Sequence, residues 1–157
     1  MHNDNILGQL IKSPIFLSAF FSWFIAQLLK VIINILRKKS YSSKAMVTTL
    51  LWKTGGMPSS HSSAVAALTT SIAFTEGLAS PLFISMVMYA MIVVRDAVGV
   101  RRSSGLQAKA LNDLGRQISQ KLDIQYEEIK EVHGHNVAEV TVGIILGFFI
   151  AVAFCNL

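Results

Sequence analysis

The sequence predicts an all-α fold: an integral membrane bundle of four transmembrane helices, with an amphipathic helix on its cytoplasmic side. Three observations carry this reading. The mean hydropathy is +0.52, apolar residues make up 52% of the 157 positions, and four apolar stretches of near-spanning length alternate with polar or basic connections. A soluble domain of this size carries less apolar surface, so the excess must face lipid. A soluble helical bundle is the competing reading, and the length of the apolar runs counts against it. The whole chain, 1–157, reads as a single membrane domain.

Residues 1–13 form a short polar leader. Pro14 to Leu36 is long enough to cross a hydrocarbon core about 30 Å thick. Charge follows it, not a small-residue cleavage site, so it is expected to remain as an anchor and not to be removed as a signal peptide. The Lys38 to Thr54 connection mixes charge with Tyr41, Met46, Val47, Leu50, Leu51 and Trp52, which suits an amphipathic turn or short helix at headgroup depth. The second helix is expected over about 58–77, with its apolar part from Ser63 to Gly77. Its small, half-polar residues, among them Ala64, Ala66, Thr69, Thr70 and Ser71, suit a helix surrounded by other helices better than one facing acyl chains.

Pro81 opens the third span, over about 81–98, at a position where its missing N–H does no harm. Leu106, Leu111, Leu114, Ile118 and Leu122 then share one face of a helix over about 103–122, with Arg116, Gln120 and Lys121 among the polar positions. That helix is expected to lie against the bundle on the cytoplasmic side. Asp123 to Val132 is an acidic connector, and the fourth span runs over about 136–155, apolar from Val137 to Cys155. Cys155 is the lone cysteine and reads as packing. The chain shows no internal repeat and no low-complexity segment.

Charge sets the expected orientation. Arg37, Lys38, Lys39, Lys44 and Lys53 lie between the first two spans, and Arg101, Arg102, Lys109, Arg116, Lys121 and Lys130 lie between the last two. The opposite ends carry little beyond Lys12 and Glu76. Short cytoplasmic loops retain Lys and Arg, so both basic loops are expected inside, both termini outside, and the net charge of +5 on one face. No organelle address is visible, which points to a plain cytoplasmic membrane. A basic face also attracts anionic lipid, and no motif points to nucleic acid.

Three constellations carry chemistry. Thr54 to Ser63 places two glycines, Pro58, Ser59, Ser60 and His61 at the start of the second helix. A helix start with unpaired N–H groups binds anions, phosphate above all, although a serine-rich N-cap with a polar histidine fits the same residues. His135 and Glu139 are four apart at the start of the fourth helix, where a carboxylate can hold one ring nitrogen and leave the other to react. An acid one turn into a membrane helix needs a partner, and His135 is the nearest candidate. A metal site is the competing reading, but the four histidines and one cysteine have no recognised ligand spacing. The third constellation is cationic: Lys30, Arg37, Arg95, Arg101 and Arg102 fall toward the same ends of their helices as the two histidines. Snorkelling by Lys30 and a simple Arg95–Asp96 pair are the bland alternatives.

These residues resemble the superfamily of type 2 phosphatidic acid phosphatases and vanadium-dependent haloperoxidases. Lys30 and Arg37 match its Lys-six-residues-Arg element, Pro58 to His61 resembles its Pro-Ser-Gly-His element, and His135 with Glu139 resembles its His-three-residues-Asp element. Thr54 to Ser63, Asp96 to Arg102 with Gln107 to Asn112, and Gly134 to Gly147 look more closely like the small divergent branch of that superfamily. The resemblance implies phosphoryl transfer without a metal or other cofactor, on a lipid phosphate or related phosphomonoester or diphosphate. His135 would attack phosphorus, Glu139 would orient its ring, and His61 would protonate the leaving oxygen and later activate water. Lys30, Arg37 and one or more of Arg95, Arg101 and Arg102 would neutralise the phosphoryl oxygens, aided by the backbone around Ser59 and Ser60.

The sequence departs from the family pattern at several points. Glu128 and Ile129 stand where a Ser-Arg pair is usual, Lys38 where proline follows the first arginine, Ser60 where glycine is usual, and Glu139 where aspartate is usual. The alternative reading is therefore a weak or inactive protein that binds an anionic lipid or acts as a scaffold docking a partner through the Ser103 to Leu122 helix. The expected partners are membrane lipid and the phosphorylated substrate. Gly143 and Gly147, one turn apart, allow close packing between helices or between two copies, and a homodimer is expected from the thin wall that four spans provide.

Overall fold

The computed structural model describes residues 6–36, 56–131 and 134–157. Among them every regular element is helical: α1 (Ile6–Lys12), α2 (Pro14–Leu36), α3 (Ser60–Glu76), α4 (Pro81–Arg95), one π-helical turn (Asp96–Val100), α5 (Arg101–Leu122) and α6 (Val137–Cys155). Three stretches are long and apolar enough to cross a membrane: α2, the continuous rod over Pro81–Leu122, and α6. Helix α3 has 17 residues, about 25 Å at 1.5 Å per residue, and does not reach that length.

The bundle is built inside out. Its three mutually packed helices, α2, α3 and α6, meet along stripes of small side chains. Ser18, Ser22, Ala26 and Lys30 of α2 are four residues apart, so they form one stripe, and all are buried. Ser60, Ser63, Ala67 and Ser71 form the matching stripe of α3. Ser22 Oγ lies 2.6 Å from Ser63 Oγ, and Ser18 Oγ lies 2.8 Å from Ser71 Oγ, which fixes α2 and α3 antiparallel. On the other side α6 runs parallel to α3, with Gly143 against the Ser59 backbone and Gly147 against the backbone of Ser63 and Ala67. Added Cβ atoms would collide with those backbones, so the two glycines serve packing between helices of one chain.

The large apolar side chains point the other way. Phe16, Phe20, Phe21, Ile144, Phe148 and Phe149 are exposed, as a lipid solvent allows. At the end away from Lys30, Phe21 and Phe154 stack at 5.3 Å and tie α2 to α6. Helix α4 has no buried residue and packs on α3.

The expected amphipathic helix over about 103–122 is corrected in its placement. It does not lie against the bundle as a separate element, because nothing between Arg95 and Arg101 breaks the helix; α5 continues α4 through the π turn. Leu106, Leu111, Leu114, Ile118 and Leu122 are exposed along it. What packs on α5 is the returning chain. Buried Asn112 donates through Nδ2 to Ile129 O at 2.9 Å and accepts through Oδ1 from Ile129 N at 2.8 Å and from the Tyr126 hydroxyl at 2.9 Å. Gly115 leaves room for the Tyr126 ring. Arg116 bridges Asp113 and Glu128, whose carboxylates raise its pKa further above its ordinary value. Asp123, with φ at 51°, ends the helix in the left-handed region that a short polar side chain tolerates. The expected headgroup-depth turn of Lys38 to Thr54 lies outside the described residues.

Gly147→Ala is expected to destabilise the protein by roughly 1–3 kcal/mol, because α3 must move off α6. Gly99→Ala, where an added Cβ meets nothing within 4 Å, is the matched control and is expected to change stability little. Thermal unfolding in detergent of the two variants beside the parent checks this, and equal midpoints would refute the packing argument.

Candidate functional site

The antiparallel α2–α3 pair and the parallel α3–α6 pair bring the N-terminal ends of α3 and α6 to the C-terminal ends of α2 and α4. Two helix N-termini therefore face one region with their unpaired N–H groups and positive dipole ends.

The approach to α3 begins at Gly56, whose φ of 88° a side chain would resist. Ser59 caps the helix: its Oγ accepts from Ser62 N at 3.4 Å and lies 2.9 Å from Ser62 Oγ. Its own N–H donates to Glu139 O at 2.9 Å, which locks the start of α3 onto the first turn of α6. Ser59, Ser60, Ser62 and Ser63 are all fully buried. Lys30, only 3% exposed, donates from Nζ to Ser60 Oγ at 3.2 Å. The head group does not snorkel. It stays inside and braces the start of α3.

The approach to α6 is a reciprocal cap. Asn136 Oδ1 accepts from Glu139 N at 3.0 Å, and Glu139 Oε2 accepts from Asn136 N at 3.3 Å. The same Oε2 lies 2.9 Å from His135 Nδ1, so the carboxylate inside the helix has its partner. A carboxylate on Nδ1 fixes the ring tautomer and leaves Nε2 as the reactive nitrogen. His135 is 7% exposed, and its backbone N–H donates to Ala97 O at 3.1 Å. Gly134 itself lies against the Arg102 backbone, where an added Cβ would collide.

The π turn completes the arrangement. Its backbone bonds join residues five apart, so Arg101 N donates to Asp96 O, not to Ala97 O as it would in an α-helix. That stacks Arg101 over Asp96, and Arg101 Nε pairs with Asp96 Oδ2 at 2.5 Å. Asp96 therefore pairs with Arg101, not with its neighbour Arg95.

A cavity of about 290 Å³ is lined by Ser59, His61, Tyr89, Asp96, Arg101 and His135, with apolar α4 residues behind them. A second cavity of about 200 Å³ is lined by Lys30, Asn34, Gly56, Asn136 and Glu139. Of the residues expected from the sequence, His61, His135, Ser59 and Arg101 share the first cavity. Lys30 and Glu139 line the second, and Ser60 is buried beside Lys30. Arg95 and Arg102 are exposed and line neither cavity, and Arg37 lies outside the described residues. Sequence reasoning missed Tyr89, Asn34 and the role of Asp96. A five-residue separation is off-face in an α-helix, so only the π turn reveals the Asp96–Arg101 pair.

Residues 11–150 match the Divergent PAP2 family. The chain is 35% identical over 153 residues to the uncharacterized membrane protein YuiD of Bacillus subtilis (strain 168), an alignment covering 90% of this chain and 94% of that protein. No solved structure matches the chain. With three helices fit to cross a bilayer and a membrane-protein relative matched over nearly its full length, this is a membrane protein, and it belongs to the Divergent PAP2 family.

Proposed function

We propose that the protein is a membrane phosphatase that hydrolyses a lipid phosphate, or a related phosphomonoester or diphosphate, through a phosphohistidine intermediate. The observation that carries this reading is one cavity lined by His61, His135 and Arg101, with His135 Nδ1 held by Glu139. His135 Nε2 attacks phosphorus as the bond from phosphorus to the leaving oxygen breaks, and His61 gives that oxygen a proton. The neutral His61 then takes a proton from water as the water oxygen attacks the phosphohistidine, which returns His135 and releases phosphate. Arg101 and the helix N-termini of α3 and α6 stabilise the charge on the phosphoryl oxygens. Lys30 acts from behind, through Ser60.

An apolar groove of about 330 Å³ supports a lipid substrate over a soluble ester. It is lined by Val65, Ala66, Val87, Ala90, Met91 and Ile144 among others, and it begins one helical turn into the membrane from His61 on α3. A phosphate in the polar cavity would leave its hydrocarbon chain facing that groove. In this reading α3 is a fourth crossing. It is short and rich in hydroxyls because α2 and α6 enclose it, and the site opens on the cytoplasmic face with both termini outside.

A second reading, anion binding without turnover, draws on Lys30 lining a different cavity from Arg101 and on Arg95 and Arg102 lining neither.

His135→Ala is expected to lower kcat for phosphate release from long-chain phosphates by about a hundredfold or more. Equal release by parent and variant would end the phosphatase reading, and anion binding without release by the parent would favour the second. Ala66→Trp and Ala90→Trp, which fill the groove, are expected to raise KM for a long-chain phosphate and leave a short-chain ester unaffected; a matching rise for both would remove the lipid assignment. For orientation, single cysteines are introduced in a Cys155→Ser background. A membrane-impermeant maleimide is expected to label Glu76→Cys in intact cells and Arg102→Cys only after permeabilisation, and the reverse pattern would invert the topology.

A further inference from the structure

We infer that Asp96 is a positioning residue. It holds Arg101 by Nε across the π turn and so presents the two outer guanidinium nitrogens to a phosphoryl group bound beside His135. The inference rests on the phosphate-site reading of the cavity and assigns the origin of its arginine.

Four observations converge on it. The family pattern places its arginine six residues before the reactive histidine, and this chain has Ile129 there. Of the three arginines at the end of the third span, Arg101 lines the cavity, whereas Arg95 and Arg102 do not. Arg101 spends Nε on Asp96 Oδ2, and among the described residues its Nη1 and Nη2 have no hydrogen-bond or ion-pair partner. A guanidinium fixed at Nε keeps a parallel pair of donors, the geometry that suits two phosphate oxygens. Finally, the turn that stacks Arg101 over Asp96 also supplies Ala97 O to the His135 backbone N–H. One local irregularity thus sets both the arginine and the histidine, and π turns inserted in α-helices recur at functional sites for this kind of reason.

The opposing effect is simple electrostatics. Asp96 is itself a wall of the cavity, and a carboxylate beside an anion site repels the anion. If Asp96 were only that, removing its charge would tighten anion binding. If it positions Arg101, removing it loosens the guanidinium and weakens binding despite the relieved repulsion. The two roles predict opposite signs.

The experiment is titration of purified full-length protein in detergent with orthovanadate, a phosphate mimic, followed by vanadium NMR line broadening. The pair is about half exposed, with side-chain accessibilities of 45% and 38%, so the variants are expected to fold, and thermal unfolding confirms it. Asp96→Asn is expected to weaken vanadate binding by roughly tenfold, about as much as Arg101→Ala does, while Asp96→Glu keeps part of the affinity. In an Arg101→Ala background the same Asp96→Asn change is expected to leave binding unchanged or tighten it, because the group it positions is gone. Unchanged or tighter binding by Asp96→Asn in the parent background would overturn the inference and leave the phosphate site standing. Additive losses in the double variant would overturn it too. Failure of the parent to bind vanadate would remove the phosphate-site reading and this inference with it.

Discussion

The close approach of α3 to α6 is the constraint on which the rest depends. In lipid there is no hydrophobic gain from bringing two apolar helices together, so packing and hydrogen bonds between backbones must supply the attraction. Gly143 and Gly147 let α6 reach the Ser59 and Ser63 backbone directly, and the serine stripe of α2 closes the opposite side with hydroxyl pairs. Because the contact is backbone against backbone, it sets register as well as distance. Ser59 N meets Glu139 O, and the start of α3 is thereby fixed beside the start of α6.

That register gives the polar groups their partners. A buried ammonium or carboxylate in a membrane helix is costly unless paired. Lys30 falls opposite Ser60 because the α2 and α3 stripes are antiparallel, one turn beyond Ala26 and two beyond Ser22. Glu139 meets three needs at once: it closes the cap of α6, holds His135 Nδ1, and through its carbonyl anchors Ser59. The two partners of that contact line different cavities, Ser59 the one with the histidines and Glu139 the one with Lys30.

The rod from Pro81 to Leu122 obeys different rules. It has little small-residue packing, touches the bundle chiefly through α3, and carries its chemistry at a single irregular turn. An uninterrupted α-helix would place Arg101 well away from Asp96 around the axis; the π turn removes that offset and gives the loop before α6 a carbonyl to dock on. The exposed leucine face of α5 beyond it goes with that unbroken continuation away from the other helices.

Much of this was legible in the residues themselves. Apolar run lengths marked three of the four expected spans, α2, the start of the Pro81 rod and α6, because bilayer thickness acts on each stretch alone, and the small, hydroxyl-rich character of Ser63 to Gly77 marked the shorter α3 as enclosed for the same local reason. The four-residue spacing of His135 and Glu139 foretold their contact, although His135 stands just before the helix and the chain reversal at the Asn136 cap, not helical periodicity, brings the ring to the carboxylate. The placement of α5, the choice of Arg101 over Arg95 and Arg102, the Asp96 partnership and the separation of Lys30 from the histidine cavity were decided only in the folded structure. Each depends on a rotation about a helix axis or a register between helices, and no single stretch of sequence contains that information. Composition and period settle what a segment is, whereas which of its faces meets a neighbour is settled by the backbone contacts that helices make with one another.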